Sequence, residues 1–284
     1  MKKFLIEILF FKISVVIFLT PLIFLHHKNT QNPIINIQRS HFNCEKTIFL
    51  GSSDARDAFS PDIRDDLYNL SSGGFKLSES YKELKETILS KCVPNNVIIS
   101  FFLGSLRSTN DLPVKTNVRF NPLRHNNPII NFFTDESRLK HINFNFKNEI
   151  IPRHYSKKRS TKNIKMLSKK GFLSHANNLS NKMYGLDYLK KIIELKKEFG
   201  FRLIFISTPR VPEYSFLLKN NEYWTEDQNF MYNQMQNNII EYYDHTDWFN
   251  DKVNLYSYFT DHSHLTKDGS VVYTQELLNK LKIK

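Results

Sequence analysis

Residues 46–54 read KTIFLGSSD, an apolar run that stops at Gly51-Ser52-Ser53-Asp54, and the reading of this junction decides the fold. A short apolar run bounded by a turn signal suits a strand covered on both faces. The same shape recurs at residues 97–103 (VIISFFL), followed by Gly104, and at residues 201–207 (FRLIFIS), followed by Thr208-Pro209. Residues 68–71 (YNLS), ahead of Gly73-Gly74, make a shorter strand candidate, and residues 244–249 a last one. Between these runs the period becomes helical. Leu77, Tyr81, Leu84, Ile88 and Leu89 mark a helix over residues 78–92, and Leu186, Leu189, Ile192 and Ile193 mark another over residues 184–199, stopped by Gly200. Further helices are expected over residues 226–242 and 267–281.

Strands alternating with helices specify an α/β domain, a parallel sheet between helical layers in a flavodoxin-like three-layer αβα sandwich. In such sheets the reactive loops lie beyond the C-terminal strand ends. That rule gathers residues 51–53, 71–74, 104–111 and 208–214 on one edge.

Working outward, the chain divides into an N-terminal segment at 1–28, a polar tether at 29–44, and the α/β domain at 45–284. Residues 4–25 (FLIEILFFKISVVIFLTPLIFL) carry Glu7 and Lys12 as their only charges, and about twenty apolar residues cross a bilayer. Lys2 and Lys3 precede them, and no small-x-small cleavage site follows. The expectation is an uncleaved signal anchor, a single transmembrane helix with the domain held outside the cytoplasm. The chain is 40% hydrophobic and 14% aromatic, enough for a real core, and carries a formal net charge of +12. That charge suits phospholipid headgroups, acidic glycans or nucleic acid, and an exported domain disfavours the last. Cys44 and Cys92 each precede an expected strand, which leaves a disulfide or two inert thiols open. There is no CxxC and no Gly-rich phosphate loop, so no metal centre or cofactor is expected.

One stretch departs from the pattern. Residues 104–181 form a long insertion of weak periodicity, with Arg153, Lys157, Lys158, Arg159, Lys162, Lys165, Lys169 and Lys170 and no acidic residue between the first and last of these. Such a segment is either a solvated basic loop or a cover over the site that meets an anionic polymer or a membrane surface.

The chemistry lies at the two ends of the domain. Asp261 and His264 stand three apart, a spacing that one helical turn would bring to one side. An imidazole beside a carboxylate is held in one tautomer and can serve as a general base. A metal reading of Asp261, His262 and His264 lacks a fourth ligand. Ser53, at the end of a buried strand, needs such a base to become a nucleophile, and needs N–H donors for the oxyanion that follows attack.

The order of these elements resembles the SGNH (GDSL-like) hydrolase superfamily, carried by Gly51-Ser52-Ser53, the glycine-bearing loop ending at Gly73-Gly74, and Asp261-His262-Ser263-His264 before the last helix. Tyr68-Asn69-Leu70, Tyr81-Lys82-Glu83-Leu84-Lys85 and the stretch from Thr208-Pro209 to Tyr214 look like the membrane-anchored bacterial members of cell-envelope pathways. The resemblance covers residues 46–103 and 184–281. It implies Ser53 as nucleophile, His264 as base, Asp261 as its orienting carboxylate, and the N–H groups of Ser53 and Gly74 in the oxyanion hole. The superfamily places an Asn after the middle strand as a further donor. Here Gly104-Ser105-Leu106-Arg107 stands there instead, leaving Asn110 or Asn69 to fill in. The implied function is a serine esterase or O-acyltransferase acting on an anionic or acylated envelope glycan. The competing reading is a weak or inactive scaffold of the same fold.

Overall fold

A computed structural model describes residues 46–89, 93–108 and 160–283. The expected anchor at 1–28, the tether at 29–44, Cys44, Cys92, Asn110, and the basic residues Arg153, Lys157, Lys158 and Arg159 lie outside the described residues. Among the described residues, no helix is long and apolar enough to cross a membrane.

The sheet has five strands, β1 (Thr47–Leu50), β2 (Leu67–Asn69), β3 (Asn96–Ser100), β4 (Arg202–Ser207) and β5 (Glu241–Asp244), in the order β2-β1-β3-β4-β5. Every neighbouring pair is parallel, with Ile48 beside Tyr68 on one side and Val97 on the other, and Ile98 beside Ile204. The central strands are apolar because both their faces are covered. Ile48, Phe49, Leu50, Val97, Ile98, Ile99, Ile204, Phe205 and Ile206 are all fully buried.

The helices are α1 (Ser53–Ala58), α2 (Leu77–Leu89), α3 (Thr161–Ala176), α4 (Leu186–Phe199), α5 (Pro212–Lys219), α6 (Glu222–Gln236) and α7 (Lys267–Lys280). The step from β1 to β2 runs opposite to the later steps across the sheet, so right-handed crossovers put α1 on one face and α2, α4 and α6 on the other. The packing agrees: α2 lies against α4, and α7 against α1. Phe59 stacks on Phe49 at 4.5 Å and on Tyr273 of α7 at 6.0 Å.

Several boundaries differ from the sequence reading, each for a local reason. β3 ends at Ser100 although the apolar run continues to Leu103, because the Phe102 N–H turns away to the Ser105 hydroxyl at 2.9 Å. The helix expected over 226–242 begins at Glu222, where the Asn221 side chain accepts the Trp224 N–H, and ends at Gln236 before Asn238 takes a left-handed φ of 56°. That leaves residues 241–244, not 244–249, for β5. Besides the short α1, two helices were not anticipated. Helix α5 starts on Pro212, a favoured first helical residue, in what read as a loop. Helix α3 lies inside the basic insertion, and its inward side includes Ser168 and Gly171 as well as Ile164, which hid its period.

Candidate active site

The first requirement is a sharp turn out of β1. Gly51 adopts φ 134°, and a Cβ there would sit 2.1 Å from the Ser100 hydroxyl oxygen of β3, so only glycine fits. The chain then enters α1 with Ser53 as its first residue. The N–H of a first helical residue has no carbonyl one turn earlier to bond, so that of Ser53 is free of the helix ladder. Its place at the C-terminal end of β1, beside β3, is the crevice where the strand order reverses.

The second requirement is a base within reach. Residues 261–264 do not form the expected helical turn. Instead, one oxygen of the Asp261 carboxylate accepts the N–H groups of Ser263 at 2.9 Å and His264 at 3.0 Å, folding the loop around the acid itself. The same carboxylate meets His264 Nδ1 at 2.8 and 2.9 Å, while His264 Nε2 lies 2.9 Å from the Ser53 Oγ. With Nδ1 donating to Asp261, Nε2 is left as the acceptor for the Ser53 hydroxyl proton. The structure therefore brings Ser53, His264 and Asp261 into one hydrogen-bonded line. Burial works to raise the Asp261 carboxyl, but the bond and charge of His264 and the Ser263 N–H outweigh it and hold it well below the usual range. Burial likewise lowers His264, and Asp261 overcomes this to leave the imidazole above its ordinary value.

A second ion pair lies under the first. Asp54, the residue after Ser53, is 5% exposed and faces Arg210, which is also 5% exposed. Arg210 Nη2 donates to Asp54 at 2.8 Å, and Nη1 donates to the Ser263 carbonyl at 3.0 Å. Thr208 adds a hydroxyl bond of 3.0 Å to the same carboxylate. Burial pushes Asp54 up, and Arg210, Thr208 and His264 together bring it below its usual value. One guanidinium thus ties the helix that carries Ser53 to the loop that carries His264. Arg210 was missed at the sequence stretch from Thr208 to Tyr214, where the readable signal was an arginine between two prolines at a strand end.

Ser53, Asp54, Arg210 and His264 border a cavity of about 280 Å³. Ser53 and His264 share it with Phe101, Phe102, Leu103, Leu218 and Trp224, an apolar set, and with Arg210, Thr246, Ser174 and His175. His262 faces the same cavity, with its ring stacked on Tyr214 at 4.8 Å. Burial, against the opposing pull of Asp261, holds its imidazole down at about 4, which leaves it neutral in the cavity wall. Helix α3 covers this side. A Cβ on Gly171 would sit 2.3 Å from the His262 ring, so glycine lets the helix backbone lie directly on the imidazole. His175, one turn on, shares a hydrogen bond of 2.7 Å with the Tyr214 hydroxyl.

The oxyanion side needs correction. The Asn69 amide does not reach the cavity: it donates to the carbonyls of Ala55 and Arg56 at 3.2 Å and of Phe59 at 2.7 Å, while its oxygen accepts the Ser71 N–H. It caps the end of α1. Gly74 is exposed and stands outside the cavity wall. Asn110 lies outside the described residues. Of the four candidates, Ser53 alone is placed at the cavity, whose wall beyond β3 is formed by Phe101, Phe102 and Leu103. Among the described residues, no three His, Cys, Asp or Glu side chains group as a metal site requires.

No protein-family model and no curated protein matches the chain. Among solved structures it is similar to a GDSL-like lipase from Bacteroides thetaiotaomicron, at 12% identity and a TM-score of 0.43, over 87% of this chain and 94% of that one. It is also similar to a lipase/acylhydrolase from Enterococcus faecalis, at 11% identity and a TM-score of 0.40, over 84% of this chain and 95% of that one. Neither likeness places a role on any residue of this chain.

Proposed function

We propose that this protein is a serine esterase or O-acyltransferase of the SGNH type, working through an acyl-Ser53 intermediate. The observation that carries the reading is the line from Asp261 through His264 to Ser53, with Nε2 at 2.9 Å from Oγ and with Ser53 and His264 opening on one cavity. His264 takes the Ser53 proton as Oγ attacks an ester carbonyl, and returns it to the departing alcohol. Asp261 stabilises the imidazolium formed between these steps. The Ser53 N–H, free of the helix ladder, is the proposed donor to the oxyanion. Water or a sugar hydroxyl then takes the acyl group, with His264 again as base.

An acylated cell-envelope glycan is the proposed substrate, and a membrane-anchored, extracytoplasmic domain the proposed location. The apolar segment at 4–25 and the net charge of +12 support them. A second reading, a poorly active protein that retains the fold to bind such a glycan, is favoured by the Phe101-Phe102-Leu103 wall and the committed Asn69 amide. Losing one oxyanion donor costs on the order of 10²- to 10³-fold in rate. A fluorophosphonate probe separates the two. Covalent labelling of the native chain that disappears in Ser53→Ala supports the enzyme; a native chain that resists labelling, with acetyl-ester turnover unchanged in Ser53→Ala, ends that reading.

A further inference from the structure

The outward side of α3 combines lysines with exposed apolar side chains. Lys162, Lys165, Met166, Lys169, Lys170 and Leu173 fall at i, i+3, i+4, i+7, i+8 and i+11, which is one stripe of a helix. Met166 is 66% exposed and Leu173 46%, and both lie in the middle of that stripe with lysines on either side. The opposite side, with Ile164, Ser168 and Gly171, packs inward towards the cavity and α5. Next to the stripe, Phe216 of α5 is 68% exposed, and it lines a groove with Pro212 and Leu217 that Lys165 and Lys169 border. Helix α3 carries no acidic residue. The one carboxylate in the groove, Glu213, bonds Lys165 at 3.3 Å and accepts from the Tyr256 hydroxyl. Among the described residues, no ion pair engages Lys162, Lys169 or Lys170.

We propose that this α3–α5 face docks on the surface of an anionic lipid bilayer. Lysines alone would suit any polyanion, including an acidic glycan. The exposed Met166, Leu173 and Phe216 narrow the choice, because a hydrated polysaccharide gives large apolar side chains nothing to enter, whereas the headgroup boundary of a bilayer does. The lysines then meet lipid phosphates while the three apolar side chains sit below them. The same helix covers the Ser53 cavity, so docking sets the cavity beside the membrane surface. This inference stands apart from the catalytic reading, since it holds whether or not Ser53 turns over.

The test uses the full chain with Met166→Trp, reconstituted in vesicles with brominated acyl chains. One set is phosphatidylcholine alone, the other phosphatidylcholine and phosphatidylglycerol in equal parts. The expected result is severalfold stronger quenching of the added indole in the phosphatidylglycerol vesicles. That excess should vanish when Lys162→Glu, Lys169→Glu and Lys170→Glu are combined with it. The unsubstituted chain supplies the background from Trp224 and Trp248, and near-ultraviolet circular dichroism shows that the exposed substitutions leave the fold intact. Equal quenching in both vesicles, or none in either, overturns the proposal. A spectral change with dextran sulfate in the absence of lipid, without quenching by phosphatidylglycerol vesicles, assigns the face to an anionic polymer instead.

Discussion

His264 Nε2 lies 2.9 Å from Ser53 Oγ, although 211 positions separate the two residues in the chain. Neither side chain is placed by its neighbours in sequence alone. Ser53 is aimed by the Gly51 turn, His264 by the Asp261 loop, and the Arg210 guanidinium bridges the two supports. Each of these parts can be removed separately, and each removal has a different signature.

Ser53→Ala and His264→Ala should each lower ester turnover by roughly 10⁴- to 10⁶-fold, with the double variant no worse than either single one, because the two act as a unit. Thermal midpoints should stay close to that of the unsubstituted chain. Steady-state kinetics on a soluble acetyl ester decides it: multiplicative losses would separate the two residues.

The base must be neutral to accept the Ser53 proton, and Asp261 holds the His264 pKa above its ordinary value. The rising limb of kcat/KM should therefore have its midpoint above about 6.5. In Asp261→Asn the main raising partner is gone and burial is opposed only by the charges of Asp57 and Asp54, so the limb should move to lower pH while the rate drops by about 10⁴-fold. A pH profile whose midpoint is the same in both proteins would remove Asp261 from the role given to it.

Arg210→Met leaves the Asp54 carboxylate buried without its cation, which should cost about 3–5 kcal/mol of stability in urea unfolding. Asp54→Asn combined with Arg210→Met should cost less than the sum of the two. Strict additivity in this cycle would show that the pair is not coupled.

Gly51→Ala introduces both the φ strain and the collision with Ser100, about 2–5 kcal/mol together. In a Ser100→Ala background the nearest atom, at 2.1 Å, is gone, so the same substitution should be milder. Equal losses in the two backgrounds would assign the whole effect to the backbone.

Gly171→Ala inverts the usual sign. Alanine in a helix interior normally gains about 1 kcal/mol over glycine. Here its Cβ meets the His262 ring, so the thermal midpoint should fall, and His262→Ala should restore it. A rise in the midpoint with His262 present would mean that α3 does not rest on this imidazole.

The sequence alone determined the three central strands of the sheet and two of its loops. Residues 46–50, 97–103 and 201–207 read as buried strands because burial on both faces leaves an unbroken apolar run, and the strands found are residues 47–50, 96–100 and 202–207. Ser53 and the Asp261–His264 spacing were legible because strand-end position and short-range spacing are local properties. The lid helix was not, since its inward side is built from Ser168, Gly171 and His175, which carry no hydrophobic period. Asn69 read as a donor to the site, and the fold spends its amide on two carbonyls of α1 and that of Phe59, which caps it. Arg210 and Asp54 went unpaired for the same reason. A polar side chain does not announce its partner in the sequence, because that partner is set by through-space distance once the sheet is assembled, and here it came from 156 positions away.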